Sequence, residues 1–212
     1  MKISPPRSNS AILVKTPPAM PGQRIGLMGG SFNPPHGGHV AISETALRQL
    51  NLDRLWWIVS PGNPLKDHDR LPPLEARIAA CQALAGQSPR IIVTGFEAQL
   101  GSSYTWTMLD FLRRRHPQVR FAWIMGADNL AQFHLWQNWR HIADRVPIAV
   151  IDRPGWHFRA LASPAAGALA RRRIAATQSA HLPRIEPPAW TFIPTRLSPL
   201  SSTQIRNSGG GS

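Results

Sequence analysis

The chain contains little cysteine, few acidic residues and no long apolar run. Cys81 is the one cysteine among 212 residues, which excludes an intramolecular disulfide and a cysteine-rich metal site. Aspartate and glutamate number 11 against 24 lysines and arginines, so the formal net charge is +13. No apolar run approaches the roughly 20 residues that a transmembrane helix requires. We therefore expect a cytoplasmic protein with no membrane partner.

The positive charge favours anionic partners, which include nucleotides, pyrophosphate and nucleic acid. Two arginine runs, at 113–115 and 171–173, supply much of it. We interpret both runs as solvated helix faces. A basic RNA-binding module without catalysis remains an alternative at this point, although it explains none of the ordered motifs described below.

The length predicts one α/β domain, which we place at residues 22–206. Residues 1–21 form a basic, proline-rich stretch with five prolines between Pro5 and Pro21, and this composition predicts a disordered leader. Residues 207–212, which read NSGGGS, predict a flexible tail. The composition does not determine the oligomeric state, and an oligomer stays possible.

Apolar runs alternate with helical patterns along the chain, which predicts a doubly wound, Rossmann-like parallel sheet with helices on both faces. The predicted strands are 25–28, 55–59, 90–94, 121–125, 146–151 and 191–193. The predicted helices are 37–50, 73–85, 105–115, parts of 129–143, and 164–176, whereas 181–188 predicts a connecting loop. Ligands on such sheets bind at the carboxyl ends of the strands.

A glycine-rich stretch, GGSFNPPHGGH at residues 29–39, joins the first predicted strand to the first predicted helix. Glycines allow backbone N–H groups to approach an anion closely, and a helix N-terminus adds partial positive charge. His36 and His39 are three residues apart, so they share one face of a helix start and can donate to phosphate oxygens. Zinc ligation is the alternative, but no matching cysteine or carboxylate cluster accompanies the pair.

A second motif, SSTQIR at residues 201–206, lies near the other end of the chain. Ser202 and Thr203 are typical of an N-cap and first helical turn, whose amides can face a phosphate. Arg206, one turn further on, can add charge-assisted hydrogen bonds to an outer phosphate oxygen. The alternative is an ordinary capped surface helix with an exposed arginine.

These two motifs together resemble the nucleotidyltransferase superfamily with an HxGH signature, which here reads His36-Gly37-Gly38-His39. Within it, the chain resembles the nicotinate-nucleotide adenylyltransferases. Further segments are similar to that family in the same order: PGNPLK at 61–66, SYT at 103–105, FAWIMGADNL at 121–130 with two following tryptophans, and RPG at 153–155. The chain departs from the family pattern at Asn33, at Leu65 before the loop lysine, and in its short end after Arg206.

The resemblance implies transfer of AMP from ATP to nicotinate mononucleotide, with release of pyrophosphate. Mg²⁺ would accompany the ATP and bind its phosphate oxygens without a dedicated protein site. The implied catalytic residues are His36, His39 and Arg206. The implied ATP-binding residues are Gly29, Gly30, Ser31, Phe32, Gly38, Gly126, Asp128, Ser202 and Thr203. The implied mononucleotide-binding residues are Lys66, Ser103, Tyr104, Thr105, Trp136 and Arg153.

Several of these residues have a structural alternative. Phe32 and Trp136 can be core residues, Asp128 can cap the helix that follows it, and Lys66 can be solvated in a polar loop. Adenylylation or cytidylylation of another phosphate, such as phosphopantetheine or the amide mononucleotide, also remains open.

Overall fold

A single parallel sheet of seven strands organises the described part of the chain, which in this computed structural model comprises residues 14–62, 71–86 and 88–195. The strands are β1 (Arg24–Gly30), β2 (Arg54–Val59), β3 (Ile91–Thr94), β4 (Arg120–Gly126), β5 (Ile148–Ile151), β6 (Arg173–Ile174) and β7 (Trp190–Ile193). Their order across the sheet is β3-β2-β1-β4-β5-β7-β6, and each pairing is parallel. The predicted fold class is therefore confirmed.

Seven α-helices connect the strands within the described residues. They are α1 (Gly37–Gln49), α2 (Leu74–Ala85), α3 (Thr105–Arg115), α4 (Ala127–Gln132), α5 (Trp139–Arg145), α6 (His157–Leu161) and α7 (Pro164–Ala168). Short 3-10 helices cover Phe96–Leu100, Phe133–Leu135, Ala170–Arg172 and Ala176–Arg184. Among the described residues, no helix is long and apolar enough to cross a membrane.

Alternating side chains of the strands build two apolar layers, one on each face of the sheet. Trp56 and Ile58 of β2 join the layer that contains α3, α4, α5, α6 and α7. The intervening Leu55, Trp57 and Val59 join the layer that contains α1, α2 and the 3-10 helix Ala176–Arg184. Both faces of the central strands are therefore buried, which explains why their sequences are nearly continuous apolar runs.

The helix predicted at 164–176 is wrong beyond residue 168. The helix α7 ends there, a 3-10 turn follows, and residues 173–174 form the edge strand β6. The guanidinium of Arg173 lies over the rings of Trp190 and Phe192, at 5.3 and 5.8 Å from their centroids. This packing and the pairing with β7 are long-range contacts that helical periodicity does not reveal. The helix α6 and the 3-10 helix at 176–184 were also not predicted.

The strand predicted from residue 146 begins at Ile148. Val146 caps the end of α5, and Pro147 follows it without an N–H group to donate to the sheet. Upstream of β1, residues 14–20 contact the domain: Val14 and Ala19 pack against the core, and Thr16 Oγ1 lies 3.0 Å from His116 Nε2. The boundary of the predicted leader at residue 21 stays a prediction.

Candidate active site

The predicted ligand-binding edge of the sheet contains a reversal of strand order between β1 and β4. Strands β2 and β3 continue from β1 in one direction, and β5, β7 and β6 continue from β4 in the other. The connections after β1 and β4 therefore diverge to opposite faces and leave a crevice between them. The turn of residues 29–39 follows β1, and Gly126 ends β4, so two of the predicted motifs meet at this crevice.

The glycine turn fits closely against the neighbouring strand. A Cβ atom built on Gly29 would lie 2.7 Å from Cη2 of Trp123 on β4, so the backbone needs glycine there. Phe32 has a φ of +46°, is 3% exposed, and its ring stacks on Trp57 at 5.3 Å. Phe32 is thus a packing residue of the turn, which is the structural alternative considered for it, and its backbone lies next to the site.

His36 and His39 form a reciprocal cap at the start of α1. The Gly38 N–H donates to Nδ1 of His36 at 3.1 Å, and the His36 N–H donates to Nδ1 of His39 at 3.2 Å. The two rings lie 4.0 Å apart between centroids. Because both Nδ1 atoms accept hydrogen bonds, the proton of each neutral ring is held on Nε2. Each histidine therefore keeps an Nε2–H donor.

The surroundings favour the neutral form of both rings. Burial lowers the pKa of His39 to about 3, and the repulsion that a protonated His39 would meet from a protonated His36 and from Arg153 acts in the same direction. Burial also lowers the pKa of His36, with Arg153 acting in the same direction and Asp128 opposing it. Protonation of Nδ1 would in addition break the caps at the start of α1. At neutral pH the pair therefore consists of neutral hydrogen-bond donors.

Ser43 fixes His39 from one turn further along α1. It is fully buried, its hydroxyl donates to the His39 carbonyl at 2.7 Å, and it accepts from Trp57 Nε1 at 2.7 Å. The helix start is in this way tied to β2. Sequence analysis missed Ser43, since a serine inside a helical pattern carries no signal of such a contact.

Gly126, Asp128 and Arg153 form a second cluster at the ends of β4 and β5. An Arg153 Nη1 donates to Asp128 Oδ2 at 3.0 Å, and both side chains are mostly buried. A Cβ on Gly126 would collide with Asp128 Oδ1 and lie 2.8 Å from Arg153 Cδ. Asp128 Oδ1 is a buried acceptor without a hydrogen-bond partner among the described residues.

A cavity of about 300 Å³ opens between α1 and the ends of β5 and β7. Its lining combines apolar and polar residues, among them Gly38, Ile42, Thr45, Asp152, Arg153 and Thr195. Asp152 is 8% exposed and accepts from the Arg153 N–H at 2.8 Å, and its Oδ2 lies 2.7 Å from His157 Nδ1. Sequence analysis did not single out Asp152 or His157.

Four residues predicted for the mononucleotide, Ser103, Tyr104, Thr105 and Trp136, lie on the α3 and α4 side of the sheet, whereas Arg153, predicted with them, lines the cavity beside α1. Thr105 begins α3, whose first amides have no partner inside the helix, and Tyr104 precedes it with 38% of its surface exposed. Trp136 is partly buried and packs edge-on against Trp123 at 6.3 Å and Phe133 at 5.4 Å. Since Trp123 also touches the Gly29 turn, one indole separates Trp136 from that turn.

Four predicted residues are not placed by the structure. Lys66, Ser202, Thr203 and Arg206 lie outside the described residues. Thr195, the last described residue before the second motif, lines the cavity. Within the described part of the chain, no three histidine, cysteine, aspartate or glutamate residues are grouped to hold a metal ion.

Arg77 is a further residue that the sequence did not reveal. It lies on α2, is 3% exposed, and donates to the carbonyl of Ser31 in the glycine turn at 2.8 Å. An arginine in an alanine-rich helical pattern is typical of a surface residue. Its burial depends on three segments that meet only in the fold: the turn after β1, the loop after β2 and the residues before α2.

Comparisons with known proteins agree with this architecture. The cytidylyltransferase-like family matches residues 27–208. A protein of Bradyrhizobium sp. (strain ORS 278) named "Probable nicotinate-nucleotide adenylyltransferase" is 54% identical over 88% of this chain and 97% of its own length. A protein of the same name from Rhizobium meliloti (strain 1021) is 52% identical over 88% of this chain and 99% of its own length. A solved structure, "Plasmodium falciparum nicotinic acid mononucleotide adenylyltransferase complexed with NaAD", has a TM-score of 0.64 at 16% identity and covers 87% of this chain and 83% of that chain.

Proposed function

The chain belongs to the cytidylyltransferase-like family, and we propose how its residues perform the adenylyl transfer for which its curated relatives are named. The reaction joins ATP and nicotinate mononucleotide to give nicotinate adenine dinucleotide and pyrophosphate. An oxygen of the mononucleotide phosphate forms a bond to the α-phosphorus of ATP. The bond from that phosphorus to the bridging oxygen breaks, and pyrophosphate leaves with the electron pair.

The reciprocal cap of His36 and His39 is the observation that carries the mechanism. It holds two neutral Nε2–H donors at the crevice where the strand order reverses. The attacking phosphate is already anionic at neutral pH, so the reaction needs no strong general base. Alignment and stabilisation of charge on the α-phosphate and the leaving group are sufficient. We assign this stabilisation to the two histidines.

The donors are prearranged, which is what catalysis of this kind requires. Nδ1 of each ring is occupied by a backbone N–H, so the ring cannot rotate or change tautomer without losing its cap. Donors fixed before the substrate arrives need no reorganisation as charge develops in the transition state. Ser202, Thr203 and Arg206 would complete the phosphate site from the segment that follows Thr195.

The adenosine moiety fits the cavity beside α1. Gly38 in the first turn of α1 lines this cavity, so a ligand there would lie beside the helix start that carries the histidine pair. The apolar side chains of Ile42 and Ile151 in the lining suit a base. Asp128, whose Oδ2 accepts from the Arg153 guanidinium, is proposed to contact a ribose hydroxyl. ATP would bind as its Mg²⁺ complex, with the ion on phosphate oxygens and water.

The nicotinate mononucleotide is proposed to bind on the opposite side of the glycine turn. Trp136 is positioned by Trp123 and Phe133 to stack on the pyridine ring. Ser103, Tyr104 and Thr105 precede or begin α3, where free amides and hydroxyls can receive the ring carboxylate. Such a site would leave donors unpaired when the amide binds, which favours the acid. Lys66 is proposed to contact the mononucleotide phosphate.

Pyrophosphate release tests this assignment. Purified protein with Mg–ATP is given nicotinate mononucleotide, nicotinamide mononucleotide or phosphopantetheine at matched concentrations. We expect release that strongly favours the nicotinate acid. Release with another acceptor would keep the phosphate site and refute the assignments at Trp136 and at Ser103–Thr105. No release with any acceptor, together with RNA binding that ignores His36 and His39, would favour the basic binding module instead.

A further inference from the structure

A buried guanidinium links the nucleotide turn to the end of the neighbouring strand. Arg77 Nη1 donates to the carbonyls of Ser31 and Ser60, both at 2.8 Å. Nη2 donates to the Pro61 carbonyl at 3.3 Å, and Nε donates to the Pro72 carbonyl at 3.0 Å. One side chain therefore joins the turn after β1, the loop after β2 and the residues that precede α2.

Arg77 combines deep burial with backbone acceptors and no partner carboxylate among the described residues. The residue is 3% exposed, yet no carboxylate of the described residues lies within salt-bridge distance of it. Burial lowers its pKa, but a guanidinium stays protonated in a protein. A buried charge held only by carbonyl groups is costly unless its hydrogen bonds are well made. All four acceptors are backbone atoms, so the side chain fixes the path of the chain itself.

The acceptors lie next to the residues that the reaction needs. Ser31 follows Gly29 and Gly30 directly, and it lies five residues before His36. The Ser60 N–H donates to the Gly30 carbonyl at 2.9 Å, so the ends of β1 and β2 are joined a second time beside the guanidinium. A shift of the Ser31 carbonyl would move the turn relative to both histidines. In reactions that depend on alignment, a displacement of about 1 Å costs on the order of 100-fold in rate.

We propose that Arg77 is a positioning residue for adenylyl transfer: its guanidinium holds the 29–39 turn in register with the end of β2. This inference rests on the proposed function. It differs from a role in stability alone, because a positioning residue alters the kinetics of protein that remains folded. Lysine cannot replace it, since an ammonium is a compact point donor and cannot span the four carbonyls as the planar fork does.

The test compares Arg77→Lys and Arg77→Ala with a matched control, Arg24→Ala. Arg24 is a half-buried arginine at the amino end of β1, the end opposite the crevice, where it pairs with Asp53 at 2.9 Å. Its loss removes an ion pair without touching the crevice. Thermal unfolding first identifies a temperature at which all variants are folded. At that temperature we expect Arg77→Ala to lower kcat/KM by on the order of 100-fold, Arg77→Lys to lower it less, and Arg24→Ala to leave it unchanged.

Two further readouts separate positioning from stability. Millimolar guanidinium chloride should restore part of the activity of Arg77→Ala, whereas equal sodium chloride should not. Hydrogen exchange should accelerate across residues 30–39 in Arg77→Lys. This variant keeps the charge and most of the side-chain stem, so it can be measured even if Arg77→Ala does not fold. Wild-type kcat/KM in both Arg77 variants, or unchanged exchange across the turn, would overturn the inference. If the wild-type protein itself shows no adenylyl transfer, the proposed function is refuted. The exchange data would then still decide whether Arg77 fixes the turn.

Discussion

Replacement of His39 by asparagine should separate the structural role of this residue from its chemical role. Asparagine Oδ1 is bonded to Cγ, as histidine Nδ1 is, so it can still accept the His36 N–H and preserve the cap. The substitution removes the Nε2–H donor and the titrating ring. We therefore expect little change in stability at pH 7 and a fall in turnover on the order of 100-fold, the usual cost of one charge-stabilising donor.

The pKa of His39 also determines how much folding stability the wild-type protein loses when the pH falls. The pKa of His39 is about 3 in the folded protein and 6.5 as its ordinary value, so below pH 6.5 the unfolded chain binds a proton that the native ring refuses. Stability is therefore lost as the pH falls from about 6.5 towards 3. At pH 5 the loss spans about 1.5 pH units at about 1.4 kcal/mol each, or roughly 2 kcal/mol. His39→Asn should not show this loss of stability.

Urea unfolding of both proteins at pH 7 and pH 5 measures that difference, because contributions from groups that do not contact His39 cancel between them. Pyrophosphate release at pH 7 measures the turnover. His181→Asn, at an exposed histidine that is not among the residues assigned to the site, serves as the control and should retain wild-type turnover. Equal losses of stability in wild type and His39→Asn between pH 7 and pH 5 would refute the neutral, capped state of this ring. Near-normal turnover would remove its phosphate role.

Two other substitutions test the crevice. Trp136→Ala should raise the KM for the mononucleotide by about tenfold, as expected for loss of a stacking contact of about 1.4 kcal/mol. The KM for ATP should stay close to the wild-type value. A selective effect on the KM for ATP would show the stacking assignment to be wrong. Gly29→Ala should destabilise the protein by about 1–3 kcal/mol in thermal or urea unfolding, because its Cβ would press on the Trp123 ring at 2.7 Å. Gly167→Ala is its control, since that helical site has open space and should gain up to about 1 kcal/mol. Equal effects at the two glycines would contradict the close contact.

The central elements could be predicted because their signal is local. Strands β1, β2, β3 and β4 were predicted to within a few residues, since strands buried on both faces are nearly continuous apolar runs between glycine or polar turns. Elements at the edge of the sheet were harder to predict. The edge strand β6 is two residues long, and it exists because Arg173 packs on Trp190 and Phe192 from a distant part of the chain. No pattern within residues 164–176 records that contact.

The family and activity were predicted from the HxGH signature and the ordered segments that follow it, and the relatives confirm both. The assignment of individual side chains to ATP or to the mononucleotide stays a prediction. The geometry adds detail to it: Arg153 donates to Asp128 Oδ2, and Asp128 Oδ1 is buried without a donor among the described residues. Which oxygen Arg153 holds depends on a contact between the ends of two strands, and the sequence gives no measure of that distance.

The sequence by itself determined the parallel α/β class, the position of the phosphate turn and the pair of histidines, because apolar periodicity, glycine and the chemistry of imidazole act over a few residues. Only the tertiary structure decided the protonation state of those histidines, the burial of Arg77 and the residues that line the cavity. Each of these depends on which segments exclude water from one another. Hydrogen bonds such as Arg77 to Ser31 join residues 46 positions apart, and their formation is a property of the folded chain.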